Sequence, residues 1–212
     1  QISRTKRNGP PDAHASGGLY FAHRIVGIIF FRYYYVMKQS SPGRLVIGID
    51  PGLASTGYGI VAASGNRISY VTHGVIETSP KTARPERLLA IYREITAVIE
   101  CYAPTEAGME TLYFAKNVTS AMAVAEARGV VTLALALHGI ALGEYTPHGI
   151  KQAVVGVARA EKAQVQESVR ILLGLPEIPK PDHAADALAA AITRLNTVDI
   201  ASLACQSAAK RG

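Results

Sequence analysis

The chain has 212 residues, 49% of them hydrophobic, which suits one domain with a sizeable core. Its two cysteines, Cys101 and Cys205, follow no spacing pattern; this excludes a disulfide framework and a zinc motif and points to a reducing compartment. The formal net charge of +6 is uneven: residues 1–37 hold five Lys or Arg against one acid, so totals of 22 and 16 leave 17 against 15 in the remainder. That body is nearly neutral, and any basic surface on it must be local to one face.

In chain order, the first segment carries Arg4, Lys6 and Arg7, then the apolar run Ile25 to Phe31 between Arg24 and Arg32, then three tyrosines. A signal peptide needs a small-residue cleavage site, which is missing, and the run is too short to span a bilayer. Residues 1–44 therefore read as an extension ahead of the domain, disordered or adventitiously packed, with Met37 as the expected true start. A cytoplasmic protein without a membrane partner is expected. Leu45 to Asp50 is an apolar, β-branched run that reads as a buried strand and stops at Pro51-Gly52, leaving Asp50 at its C-terminal end. Ser55 to Ala63 and Arg67 to Ile76 read as two further strands hinged at Ser64-Gly65-Asn66, giving an antiparallel meander.

After Pro85, the apolar positions Leu88, Leu89, Ile91, Tyr92, Ile95, Val98 and Ile99 predict a helix over 86–102 that ends before Pro104. Thr105 to Glu110 is a short strand; a crossover helix permits it to run parallel to the first and bring Glu110 beside Asp50. A long helix, rich in Ala and Leu, follows over about 118–137. Its residues Met122, Val124, Ala125, Val130 and Val131 make it apolar on more than one side, and a second apolar face needs a partner. Ile140 to Tyr145 is a fifth strand candidate, and Thr146-Pro147 opens a third helix as N-cap and first-turn proline. Two more helices fit Glu161 to Leu173 and His183 to Leu195. The domain is then 45–196, and the alanine-rich remainder, 197–212, is expected to be a flexible tail.

His183 and Asp186 are three residues apart and so share a helix face, and Asp182 adds negative charge at the helix start, where the dipole favours it. Singly, this pair reads as a helix-end decoration, Asp50 as a turn former and Glu110 as a surface carboxylate. Together they are a hard-donor set of the kind that holds a divalent cation with substrate phosphate oxygens. Lys151 and Lys162 read as solvated lysines or as phosphate contacts. Tyr113 and Phe114, beside polar Lys116 and Asn117, read as core-plugging rings or as stacking surfaces for an unpaired base.

Val46 to Gly59 (VIGIDPGLASTGYG), Met109 to Asn117 (METLYFAKN), Ala125 to Val130 (AEARGV), Lys151 to Gln166 (KQAVVGVARAEKAQVQ) and His183 to Leu188 (HAADAL) resemble RuvC-type Holliday junction resolvases, in that family's order. The resemblance implies an α/β, ribonuclease H-like fold: a five-stranded mixed sheet flanked by helices. It also implies a homodimer that resolves four-way DNA junctions by paired nicking of opposite strands, with two Mg²⁺ ions per subunit. Asp50, Glu110 and Asp186 match the family's acidic positions. The remaining ligand position falls on His183, where imidazole favours borderline metals, so Mn²⁺ is expected to serve as well. In such two-ion hydrolysis the attacking water is acidified at one ion and the leaving 3′ oxygen steadied at the other, with Asp50 the natural bridge; His183 is either a ligand or the base. The resemblance also turns Lys151 and Lys162 toward backbone phosphates and Tyr113, with Phe114 the alternative, toward stacking at the junction centre. It implies preference for a short nucleotide motif and cooperation with a branch-migration motor.

Two other readings fit parts of the chain. Residues 48–52 alone suit an actin-like or sugar-kinase-like ATPase, but the duplicated domain and second phosphate turn are not visible. A non-catalytic junction-binding protein would be expected to lose a metal ligand, and all four positions are filled.

Overall fold

The apolar run from Leu45 forms the central strand of a five-stranded mixed sheet because both of its faces are covered. The computed structural model describes the backbone of residues 43–111 and 118–209 and the side chains of 43–111 and 121–197. In chain order the elements are β1 (Arg44–Asp50), β2 (Ser55–Ser64), β3 (Arg67–Glu77), α1 (Arg84–Tyr102), β4 (Glu106–Glu110), α2 (Val118–Leu137), β5 (Ala141–Tyr145), α3 (Pro147–Val155), α4 (Lys162–Leu173) and α5 (Asp182–Ala209). The strand order is β3-β2-β1-β4-β5; β1 to β3 form the antiparallel meander, while β4 and β5 run parallel to β1. The β2–β3 hairpin turns at Gly65, whose φ of 56° is open to glycine at no steric cost.

Side chains alternate along β1, and the two faces are built differently. Ile47 and Ile49 are fully buried on one face. Tyr58, the partner of Ile49 in β2, lies near Glu94 and Tyr102 of α1, so α1 covers this side. Each fully buried isoleucine contributes about 1.5–3 kcal/mol. The other face carries Val46 and Gly48, and α5 packs directly on it. A Cβ on Gly48 would stand 1.8 Å from the Ala187 carbonyl oxygen, and one on Gly108 of β4 would stand 2.3 Å from that of Ala190. Glycine on the strands and buried Ala184, Ala185, Ala187, Ala189, Ala190 and Ala191 on the helix bring the two backbones unusually close. That closeness sets the position of everything α5 carries.

Helix boundaries follow local chemistry. Pro85 lies inside the first turn of α1 rather than ahead of it, since proline is tolerated where an N–H has no intrahelical partner. Thr146 caps α3, its hydroxyl accepting the Gly149 N–H at 3.0 Å. Gln164 accepts the Glu161 N–H at 2.8 Å and so closes the start of α4. The last helix differs most from the sequence reading, which ends it at Leu195. Its backbone stays helical to Ala209, because the segment holds neither Gly nor Pro before Gly212 and alanine is the best helix former. Among the described residues no helix is long and apolar enough to cross a membrane. Met37 and the rest of residues 1–42 lie outside the described residues.

Candidate active site

Strand register brings the first two carboxylates together. Ile49 pairs with Met109 in the parallel β1–β4 ladder, so the residues that follow, Asp50 and Glu110, end adjacent strands at the same edge of the sheet. Beyond Asp50 the chain is held by a closed loop: the Thr56 hydroxyl donates to the Gly52 carbonyl at 2.8 Å, and Arg87 of α1 donates to the Leu53 carbonyl and the Thr78 hydroxyl. Asp50 also pairs with Gly57 on β2, and a Cβ on Gly57 would stand 2.1 Å from the His183 carbonyl oxygen. The bare glycine therefore seats the first turn of α5 against β2, which puts His183 on Asp50. His183 Nδ1 lies 2.6 Å from Asp50 Oδ2. Since the carboxylate only accepts, Nδ1 carries the proton, and Nε2 faces away from this bond as the remaining ring donor or acceptor.

One turn further, Asp186 enters a cleft of ≈ 230 Å³ that it shares with Glu110, Lys151 and Lys162. Burial pushes the Glu110 carboxyl above the ordinary carboxylate range, with Asp50 and Asp186 adding like charge, against the opposing pull of Lys151 and Arg128. Burial likewise raises Asp186; Lys162 opposes this and Asp50 adds to it. Lys162 Nζ stands 3.0 Å from Asp182 and 3.3 Å from Asp186. Burial pulls the Lys162 ammonium down, but these two carboxylates outweigh it and raise it overall.

All four expected ligands thus meet at one end of the sheet, with both expected lysines beside them. They are not drawn into a ready coordination shell: among the described residues no three His, Cys, Asp or Glu groups lie close enough to hold a metal ion. Asp50 is engaged by His183 and Asp186 by Lys162. The donor set nevertheless fits a hard divalent cation, being three carboxylates and an imidazole, with two carboxyls raised by burial and, further, by the charge of Asp50, which a cation would offset. Tyr113, Phe114, Lys116 and Asn117 lie outside the described residues.

Sequence reasoning missed Arg128. From α2 it donates to the Glu110 backbone carbonyl and to the Glu144 carboxylate of β5, tying the end of the Glu110 strand to helix and neighbouring strand. Its signals are a guanidinium near Glu126 in an alanine-rich helix and its place in the Ala125 to Val130 block.

A pH dependence follows from the raised carboxyls. With native pKa values above the unfolded references of 4.5 for Glu and 3.8 for Asp, the native state holds more protons in between. Stability from these two groups is therefore fully present below the unfolded references, falls as pH rises through that interval and is lost above it. In EDTA, Glu110→Gln with Asp186→Asn is expected to lose less stability than the parent between acid and neutral pH, measured by urea denaturation. An identical pH slope in both proteins would contradict the electrostatic picture.

A ribonuclease H-like sheet with acids on its two central strand ends and an Asp on the crossing helix defines a phosphodiester-cleaving hydrolase. The sequence model of the crossover junction endodeoxyribonuclease RuvC matches residues 46–194. Crossover junction endodeoxyribonuclease RuvC of Treponema denticola is 62% identical over 155 residues, 73% of this chain and 87% of that protein. Its Thermotoga maritima counterpart is 51% identical over 146 residues, 69% of this chain and 87% of that protein. The solved structure of Thermus thermophilus RuvC in complex with Holliday junction substrate superposes with a TM-score of 0.72 at 34% identity, covering 74% of this chain and 96% of that one. The yeast mitochondrial Holliday junction resolvase Ydc2, with a TM-score of 0.50 and 15% identity, shares the fold. The chain belongs to the RuvC family of crossover junction endodeoxyribonucleases, which are metal-dependent nucleases.

Proposed function

We propose that this chain is a homodimeric, Mg²⁺-dependent resolvase that nicks opposite strands of a four-way DNA junction in recombination and repair, with Asp50, Glu110, His183 and Asp186 as its metal-site residues. The observation that carries this reading is the joining of Asp50 and Glu110 by parallel strand register, with α5 laying His183 and Asp186 across them. Two cations per subunit are proposed, Mn²⁺ serving as well as Mg²⁺. Bound there, they would supply charge neutralisation at the scissile phosphate and an acidified water. Water adds to phosphorus, the bond from phosphorus to the 3′ oxygen breaks, and a 5′ phosphate and 3′ hydroxyl remain. His183, held to Asp50 through Nδ1, would offer Nε2 to a cation or to the attacking water's proton. Arg128 fixes the strand end that aims Glu110.

Lys151 and Lys162 line the same cleft as Glu110 and Asp186, where a phosphate entering the site would meet them. Tyr113 is proposed to stack on an unpaired base, with Phe114 the alternative and Lys116 and Asn117 as neighbouring DNA contacts. Lys151→Ala is expected to flatten the slope of log binding constant against log salt by about one phosphate contact. A slope equal to wild type would return Lys151 to a merely solvated position.

The dimer is supported by α2. Met122, Leu133 and Leu137 are 57%, 55% and 63% exposed, and Ala125 and Gly129 are exposed between them, while Val131 is buried. At spacings of three and four residues these form one apolar stripe facing away from the chain's own core. Leu133→Glu is expected to convert the protein to monomers in analytical ultracentrifugation, and an unchanged dimer would place the interface elsewhere. A cooperating branch-migration motor and a cytoplasmic location are part of this reading.

The function is tested by incubating the purified chain with a synthetic four-way junction and with linear duplex, in Mg²⁺, Mn²⁺ or EDTA. Cutting of the junction alone, and only with a divalent ion, is expected; binding without incision in either metal would favour a non-catalytic junction binder.

A further inference from the structure

Four side chains form a square between two helices at the mouth of the cleft. Lys162 and Gln166 lie one turn apart on α4, and Asp182 and Asp186 one turn apart on α5. Lys162 Nζ bridges the two carboxylates at 3.0 and 3.3 Å, while Gln166 Nε2 donates to the other oxygen of Asp182 at 3.1 Å. Asp182 is exposed and belongs to none of the metal-site residues, yet both its oxygens are engaged.

We propose that Asp182 is a positioning residue: it gives the Lys162 ammonium a second partner, so that Lys162 can release Asp186 to an incoming divalent cation and remain at the cleft mouth for a DNA phosphate. This inference rests on the reading of Asp186 as a cation ligand. An ammonium on Asp186 takes up the lone pairs and the negative charge that a cation needs, so the two compete for it. If Asp186 were the lysine's only carboxylate, release would leave the ammonium unpaired. With Asp182 held by Gln166, the bridge opens on one side only. Asp182 thereby lowers the cost of loading the site.

The test is Mn²⁺ binding to the full chain without DNA, followed by the loss of the free-ion electron paramagnetic resonance signal. It uses Asp182→Asn, Lys162→Met and their combination. Because the pair is exposed, the expected effects are modest, about two- to five-fold. Asp182→Asn should weaken Mn²⁺ binding by that factor and Lys162→Met should tighten it. In the Lys162→Met background, Asp182→Asn should have almost no further effect, since there is no ammonium left to hold. A general field effect of the Asp182 charge would instead weaken binding equally in both backgrounds, and that result would overturn the proposal, as would Lys162→Met failing to tighten binding. Asp186→Asn separates the two levels: if it leaves Mn²⁺ binding unchanged, the metal-site reading itself fails. If it abolishes binding while the double-mutant cycle shows no coupling, only the role of Asp182 fails.

Discussion

Asp50→Asn, Glu110→Gln and Asp186→Asn are each expected to lower junction cutting by about a thousandfold or more while leaving junction binding within a few-fold of wild type. Each substitution keeps the shape of the side chain and removes one charge, so the fold is kept, and Lys162, which loses a partner only in Asp186→Asn, still has Asp182. What is lost is electrostatic stabilisation where charge develops, and removal of one such group costs about 10²–10³ in rate even without a metal. His183 tests the site in another way. His183→Asp supplies a carboxylate and should retain activity in Mg²⁺, whereas His183→Ala should lose most of it. Single-turnover cleavage and gel-shift binding measured side by side distinguish these outcomes, and equal activity of the two His183 variants would remove the imidazole from the site.

Gly48→Ala is expected to produce the largest loss of stability from any single added methyl group. The new Cβ would stand 1.8 Å from the Ala187 carbonyl oxygen and 2.6 Å from the Ala191 backbone nitrogen. Both are main-chain atoms of a helix packed on the central strand, so no rotamer change relieves the clash. Either β1 or α5 must shift, and overpacking of this kind costs about 3 kcal/mol. That is a large share of the roughly 5–15 kcal/mol that stabilises an ordinary domain. A shift of α5 also carries His183 and Asp186 away from Asp50 and Glu110, so activity should fall at temperatures where the variant is still folded. The urea midpoint of the variant decides this: a change of under about 0.5 kcal/mol would mean that α5 yields freely.

Much of this was legible in the sequence because the relevant signals are local. A β-branched run ending at Pro51-Gly52 marks β1 and leaves Asp50 at its end. Thr146-Pro147 marks the start of α3, and the spacing of His183 and Asp186 puts them on one helix face. The features that were not legible depend on residues brought together across the fold. Arg128 acts on a carbonyl 18 residues away, and Arg44 and Arg194 both pair with Glu106 across separations of 62 and 88 residues. Neither interaction leaves a periodic trace. The glycines of β1, β2 and β4 were visible only as weak strand formers, and their purpose appears once α5 is laid on them. The sequence reading ends α5 at Leu195, short of Ala209, although alanine favours helix strongly.

Paired incision is the most demanding element of the proposed function, and a supercoiled plasmid that extrudes a cruciform measures it directly. Two nicks made within one binding event convert the plasmid to linear product. Independent single nicks relax it to open circle, which reabsorbs the cruciform and removes the substrate. With Mg²⁺ the wild-type chain is expected to yield linear plasmid as its main product, and Leu133→Glu is expected to yield open circle or nothing. Open circle as the main product of the wild-type chain, or linear product that persists in EDTA, would contradict the account.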